Sequence, residues 1–145
     1  LPEGFEERVR GRGAVHSGWV RQQLIMAHPS VGCFLCHAGL SSIVEGLVNG
    51  CHLVLLPQKT DQFQNATLLA GDLRAAVEVP RREHDGWFAR EDVRDSVRKA
   101  MVEPGASTVR ENARRWGEFL LDEAAQRRFT TELVDKLWEM ADLGK

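Results

Sequence analysis

Residues 19–62 read WVRQQLIMAHPSVGCFLCHAGLSSIVEGLVNGCHLVLLPQKTDQ, and this stretch decides the fold. Two short apolar runs, Gly32–Cys36 and His52–Leu56, alternate with stretches of helical character at Gln22–Ala27 and Ser41–Val48. Apolar runs this short, bounded by turn residues, read as buried strands of a parallel sheet. His28-Pro29 closes the first helix, Asn49-Gly50 the second, and Pro57 stops the strand before it. Asp61 is placed to cap a further helix over Asp61–Ala70.

The same alternation continues outward. Ala14–Ser17 is a candidate strand upstream, and Ala75–Val79 is a fourth strand downstream. The polar loop Pro80–Gly86 carries the turn dipeptide Asp85-Gly86. Val93, Val97, Ala100 and Met101 recur at helical spacing within Arg90–Val102, and Pro104-Gly105 ends that helix. Two more amphipathic helices are expected at Thr108–Leu121 and Thr130–Leu143. Their apolar stripes, Trp116, Phe119 and Leu120 on one and Leu133, Leu137 and Met140 on the other, read as core positions. A β-α-β-α-β-α-β order implies an α/β fold: a Rossmann-like parallel sheet flanked by helices, with right-handed crossovers. Four strands fall short of a complete doubly wound domain, so an incomplete domain is expected.

Composition narrows the classes. A chain of 145 residues, 43% hydrophobic and 28% charged, has the profile of one globular domain. A formal charge of −2 gives no electrostatic reason to expect nucleic acid or an anionic membrane as partner. No apolar run reaches bilayer-spanning length, and the start has no signal-peptide pattern. The opening Leu1-Pro2-Glu3 lacks an initiator Met, so a fragment or processed piece is expected. Three cysteines, Cys33, Cys36 and Cys51, form no disulfide framework and fit a reducing compartment. Cys33 and Cys36 have the spacing of a redox or zinc half-site. Strand alternation sends them to opposite faces, however, so they read as small core residues.

Ligand groups in such sheets come from the carboxyl ends of the strands. Trp19 offers a flat face on which a base could stack, an interaction worth about 1–3 kcal/mol per base. Gly39 permits close backbone approach in the turn His37-Ala38-Gly39-Leu40-Ser41-Ser42, and the helix start presents free N–H groups suited to phosphate. An anion there gains roughly 0.3–1 kcal/mol from the helix dipole. His37 and Ser42 are additional donors, and Glu45, one turn on, is a ribose acceptor. Asp61 and Gln62 set a carboxylate beside an amide, a pairing suited to vicinal sugar hydroxyls. Each element has a plain structural reading: core Trp, ordinary cap, surface glutamate. Together they follow the order of base, phosphate, ribose and sugar groups along one extended ligand.

The segment resembles the signature box of plant family 1 UDP-dependent glycosyltransferases, the C-terminal nucleotide-sugar part of a two-domain GT-B enzyme. Trp19, Gln22, Leu24, His28, Phe34, His37, Gly39, Ser42, Glu45, Gly50, Pro57, Asp61 and Gln62 match at the family's spacing. The resemblance implies that Trp19 stacks on uracil while the Val20 backbone reads its edge. Gln22 and Glu45 would hold the ribose. His37, Gly39, Leu40, Ser41 and Ser42 would meet the diphosphate, and Asp61 and Gln62 the transferred sugar. Arg21, Leu40 and Ser41 stand where proline, tryptophan and asparagine are commonest in the box. Such replacements, with Ala76-Val77-Glu78-Val79, Asp85-Gly86-Trp87-Phe88 and Arg90-Glu91-Asp92-Val93, resemble the branch that glycosylates flavonoid or terpenoid glycosides in plant secondary metabolism.

The resemblance implies residues 1–145 as a UDP-sugar-binding C-terminal domain fragment, with C-terminal helices from about 106 to 145 and the N-terminal acceptor domain absent. It also implies a cytoplasmic, monomeric full enzyme with a UDP-sugar as donor substrate, no cofactor, no metal and no stable membrane insertion. The catalytic base is expected in the missing domain, so no residue here is assigned as catalytic, and the fragment alone is expected to be inactive. The alternative is an inactive nucleotide-binding fragment or interaction module. A dehydrogenase half is disfavoured because no Gly-x-Gly-x-x-Gly follows a strand.

Overall fold

The computed structural model describes residues 1–142. Its centre is a parallel sheet of three strands among the described residues, β1 (Cys33–Cys36), β2 (His52–Leu55) and β3 (Ala76–Glu78), in the order β1-β2-β3. Phe34 pairs with Leu53 and Cys36 with Leu55; on the other side Leu53 pairs with Ala76 and Leu55 with Glu78. The helices are α1 (Phe5–Val9), α2 (Gln22–Met26), α3 (Leu40–Val48), α4 (Asp61–Ala66), α5 (Arg90–Met101), α6 (Ala106–Leu121) and α7 (Glu123–Asp142). Helix α4 runs on into a π-helical turn over Thr67–Asp72, and Leu73 then leads to the left-handed Arg74 (φ 49°).

The central strand explains the two-sided core. Leu53, Val54 and Leu55 are all fully buried, which only a strand covered on both faces requires. Leu53 and Leu55 join Ile43, Leu47, Ala66, Leu69 and Ala113 on one face, with Trp116 and Leu120 packed against them. Val54 joins Val77, Val79 and Ala100 on the other, with Val93, Val97 and Val109 alongside. Cys36 lies in the first cluster and Cys33 packs on the second, so the strand alternation separates the two thiols as expected. Burial raises the pKa of all three cysteines, with Cys51 adding to the effect at Cys33, so the thiols stay protonated and serve as packing groups.

Two glycines set the helix spacing. A Cβ on Gly117 would lie 2.5 Å from the Leu47 carbonyl oxygen, and one on Gly46 would lie 2.5 Å from Leu53 Cδ2. Helix α6 therefore meets the end of α3 backbone to backbone, and the Leu53 side chain of β2 fills the space that Gly46 leaves on α3.

Four expectations are corrected. Ala14–Ser17 forms no strand: the whole segment from Gly11 to Ile25 is exposed, and four residues flanked by Gly13 and Gly18 have no partner strand to bond. The sheet accordingly has three strands, not four, and Leu35 on the outer strand β1 is exposed. Asp61 is the first residue of α4, and Thr60, at φ 47°, takes the cap position. Helix α7 starts at Glu123, not Thr130, because Asp122 ends α6 and its Oδ1 accepts the N–H groups of Ala124 (2.9 Å) and Ala125 (3.2 Å).

The stripe of α7 also departs from the core reading. Leu133, Leu137 and Met140 are exposed, as is Trp138, while Phe129 stacks edge-on against Phe119 with ring centroids 6.0 Å apart. Of the α6 stripe, Trp116 and Leu120 pack on the core and Phe119 sits at its rim, edge-on to Trp116. Leu143, the expected end of the last helix, lies outside the described residues. No helix among the described residues is long and apolar enough to cross a membrane.

Candidate functional site

Two groups of the expected site residues, His37–Ser42 and Asp61-Gln62, follow the carboxyl ends of β1 and β2, while Trp19, Val20 and Gln22 lie on the exposed segment leading into α2. The chain leaves β1 at Cys36 and turns through His37 and Ala38 into α3. Ala38 is fully buried at φ 64°, a left-handed conformation that alanine seldom adopts, and this bend redirects the backbone. Gly39 precedes the helix without a side-chain cap. The N–H groups of Leu40, Ser41 and Ser42 therefore begin α3 with no intrahelical partner and carry the positive end of its dipole. His37 folds over this start: a Cβ on Gly39 would stand 2.6 Å from His37 Nε2. The room that glycine provides is thus occupied by the imidazole, at φ −66° where conformational freedom is not needed. An imidazole and three unpaired N–H groups in one place suit an oxyanion.

Glu45 lies one turn further along α3. Its Oε2 accepts a 2.7 Å hydrogen bond from Gln22 Nε2 at the start of α2. Trp19, Val20, Gln22, Leu24 and Glu45 line one cleft of about 640 Å³. Trp19 is 95% exposed, so its indole is no core residue but a free flat face at the cleft.

Asp61 and Gln62, adjacent in sequence, are used differently. Asp61 is exposed, and its carboxylate accepts from Thr60 Oγ1 at 2.9 Å and from Asn65 Nδ2 at 3.4 Å. Gln62 is buried, with Oε1 accepting the N–H groups of Gln58 (2.9 Å) and Lys59 (3.1 Å). That leaves the amide NH₂ of Gln62 as its only group for a ligand. Arg81 supports the same loop: its Nη1 donates to the Pro57 carbonyl at 2.6 Å and its guanidinium lies 4.6 Å from the Phe63 ring centroid.

The structure thus joins Trp19, Val20, Gln22 and Glu45 in one cleft, and places His37, Gly39, Leu40, Ser41 and Ser42 at the head of the helix that carries Glu45. Asp61 connects to that turn through Asn65, whose Nδ2 also donates to the Ala38 carbonyl at 3.0 Å. Asn65 and Thr60 were not singled out from the sequence. The available signal was positional, since Asn65 follows Asp61 by one helical turn. Among the described residues no cluster of three or more His, Cys, Asp or Glu side chains is set to hold a metal ion.

A three-layer α/β unit with an anion-suited turn and a carboxylate beyond its strand ends, and an exposed aromatic face on a neighbouring segment, has the features of a nucleotide-binding architecture. The family model described as "UDP-glucoronosyl and UDP-glucosyl transferase" matches residues 7–112, so the chain belongs to the UDP-glycosyltransferase family. Anthocyanidin-3-O-glucoside rhamnosyltransferase of Petunia hybrida is 52% identical over 99% of this chain. UDP-glycosyltransferase 79A6 of Glycine max is 49% identical over 97% of it. The chain spans 31% of the length of each of these relatives. Among solved structures, Os79 from O. sativa in complex with UDP superposes with a TM-score of 0.82 at 26% identity, over 94% of this chain and 32% of that one. Phytolacca americana UGT2, complexed with UDP-2fluoro-glucose and pterostilbene, superposes at 0.80 with 26% identity over the same shares. The parallel sheet with flanking helices is therefore part of a GT-B fold, as the family resemblance implied.

Proposed function

We propose that this chain is the donor-binding part of a UDP-dependent glycosyltransferase that transfers a sugar, with inversion, to a hydroxyl of a small-molecule glycoside. The observation that carries the reading is the continuity of the site. The Trp19 cleft includes the Gln22–Glu45 pair, Glu45 stands on the helix whose start carries the free N–H groups, and Asn65 ties that turn to Asp61; this chain of links is read as the succession of uracil, ribose, diphosphate and sugar. Trp19 and Val20 take the base, Gln22 and Glu45 the ribose, and His37, Gly39, Leu40, Ser41 and Ser42 the diphosphate. Asp61, with the amide of Gln62, takes the sugar. The superposed structures, complexes with UDP and with UDP-2fluoro-glucose, support this assignment.

In the reaction, an acceptor oxygen bonds to the anomeric carbon as the bond from that carbon to the β-phosphate oxygen breaks. The electron pair of the broken bond leaves with UDP, and the acceptor's proton passes to a base in an N-terminal acceptor domain outside these residues. The part supplied here is stabilisation of the leaving group. The free N–H groups of α3 and the His37 imidazole face the charge that develops on the diphosphate, and such preorganised donors act most strongly in the transition state. A charge-assisted hydrogen bond of about 1.5–3 kcal/mol corresponds to one or two powers of ten in rate. Relatives whose names specify a second sugar added to an anthocyanidin 3-O-glucoside or a cyanidin 3-O-galactoside support a flavonoid glycoside as acceptor. On the family resemblance, the complete enzyme is a cytoplasmic monomer.

The test is turnover of a labelled UDP-sugar. The complete polypeptide, offered an anthocyanidin glycoside, should release UDP and form a disaccharide of inverted anomeric configuration. Residues 1–145 alone should give no transfer. Transfer by the isolated residues, or failure of the complete enzyme to use any UDP-sugar, would overturn the reading.

A further inference from the structure

We propose that Asn65 is a positioning residue that locks the sugar-binding carboxylate to the phosphate-binding turn. This rests on the donor-site reading above and extends it to a residue that contacts neither base, phosphate nor sugar. Asn65 is half-buried on α4, and its single side-chain nitrogen donates to the Ala38 carbonyl at 3.0 Å and to Asp61 Oδ2 at 3.4 Å.

The buried Ala38 carbonyl depends on that donor, and the exposed Asp61 carboxylate is oriented by it. Ala38 is fully buried in a left-handed bend beyond the end of β1, where the sheet ladder no longer supplies partners. A buried carbonyl left without a hydrogen bond is costly, so the Asn65 amide holds the bend in the form that aims the start of α3. On the other acceptor, Thr60 Oγ1 donates to Asp61 Oδ1 at 2.9 Å while Asn65 takes Oδ2. The carboxylate is gripped at both oxygens and keeps its remaining lone pairs for ligand hydroxyls.

The chemistry of the residue is specific. An amide NH₂ has two hydrogens for two acceptors. Aspartate is the same size, but would set an oxygen against the Ala38 carbonyl and a negative charge one turn from Asp61. Alanine reaches neither acceptor. The consequence is energetic coupling between two parts of the ligand, the diphosphate and the sugar, through one side chain.

A double-mutant cycle in the complete transferase tests this. Asn65→Ala, Asp61→Ala and the double variant are compared by kcat and KM for the UDP-sugar and by inhibition with UDP alone. Asn65→Ala should lower kcat/KM about tenfold and weaken UDP inhibition about threefold, the scale of one or two net hydrogen bonds. In the Asp61→Ala background the same change should cost only about the threefold share that belongs to Ala38, a non-additivity that contacts in one network produce. Asn65→Asp, which preserves size and helix placement, should be at least as damaging as Asn65→Ala. Independent, multiplying losses would overturn the proposal, as would Asn65→Asp with wild-type constants. Failure of both Asn65 variants to fold would make the role purely structural and overturn it equally. If the wild type itself neither binds UDP nor turns over a UDP-sugar, the donor-site reading fails first, before any variant is compared.

Discussion

The two halves of the site are built to different standards. The half from His37 to Asn65 hangs from the outer strand β1 and the buried strand β2 and is cross-tied by Asn65, Thr60 and Gln62. The half from Trp19 to Gln22 runs along an exposed segment and is fastened to the first by one bond, Gln22 to Glu45. One half is held by buried packing and several hydrogen bonds; the other is exposed and lightly tied. Preorganised donors serve the developing charge of the reaction, whereas a stacking face can be mobile and still add affinity. The division matches what each half is proposed to do.

The largest effect should come from the loosely held half. Trp19→Ala should weaken UDP binding to the complete enzyme by about 1–3 kcal/mol, roughly five- to 150-fold, through lost stacking. Its melting temperature should not move, because the indole is 95% exposed and supports nothing in the fold. Titration calorimetry with UDP and a thermal melt read both; a lower melting temperature would erase the contrast between the halves. Gly117→Ala should act on the anchored half. The added Cβ meets the Leu47 carbonyl oxygen at 2.5 Å, so α3 must shift, at a cost of about 1–3 kcal/mol in denaturant unfolding. UDP affinity should fall with it, because α3 carries both the anion turn and Glu45.

The smallest effect is a pH dependence that belongs to the scaffold. His52, at the start of β2, is half-buried with Nδ1 unpartnered, and burial followed by the charge of Arg110 lowers its pKa. The folded chain therefore takes up this proton at lower pH than the unfolded chain does. Its contribution is fully present above the ordinary imidazole value of about 6.5 and is lost as pH falls through the depressed folded value. Melting temperature should hold between about pH 7 and 8 and decline below that ordinary value. His52→Gln should flatten the decline; an unchanged slope would assign it elsewhere.

Much of the anchored half was readable in the residue order, because its signals are strong and local. His52–Leu56 reads as a strand, formed over His52–Leu55, and Asn49-Gly50 marks the end of α3. The loosely held half was harder to read. Ala14–Ser17 carries a strand-like run, but a strand exists only with a partner beside it, and none is present. The start of α7 was hidden because residues 122–129 lack an apolar period, while the Asp122 cap that starts it looks like any surface aspartate. The exposed stripe of α7 shows that helical spacing identifies an apolar face without saying what covers it. The tie from Asn65 to Ala38 joins residues of separate elements, and no local pattern encodes it.

Gln62 has a bearing on any attempt to redesign the donor specificity. Its side-chain oxygen closes the bend made by Gln58 and Lys59, so exchanging it for a residue chosen to suit a different hexose or pentose would unfasten the backbone beside the proposed sugar contacts. Replacements that retain an acceptor at that point, glutamate first, are the ones that keep the frame. Engineering of sugar choice is better begun at neighbouring positions that the loop does not depend on.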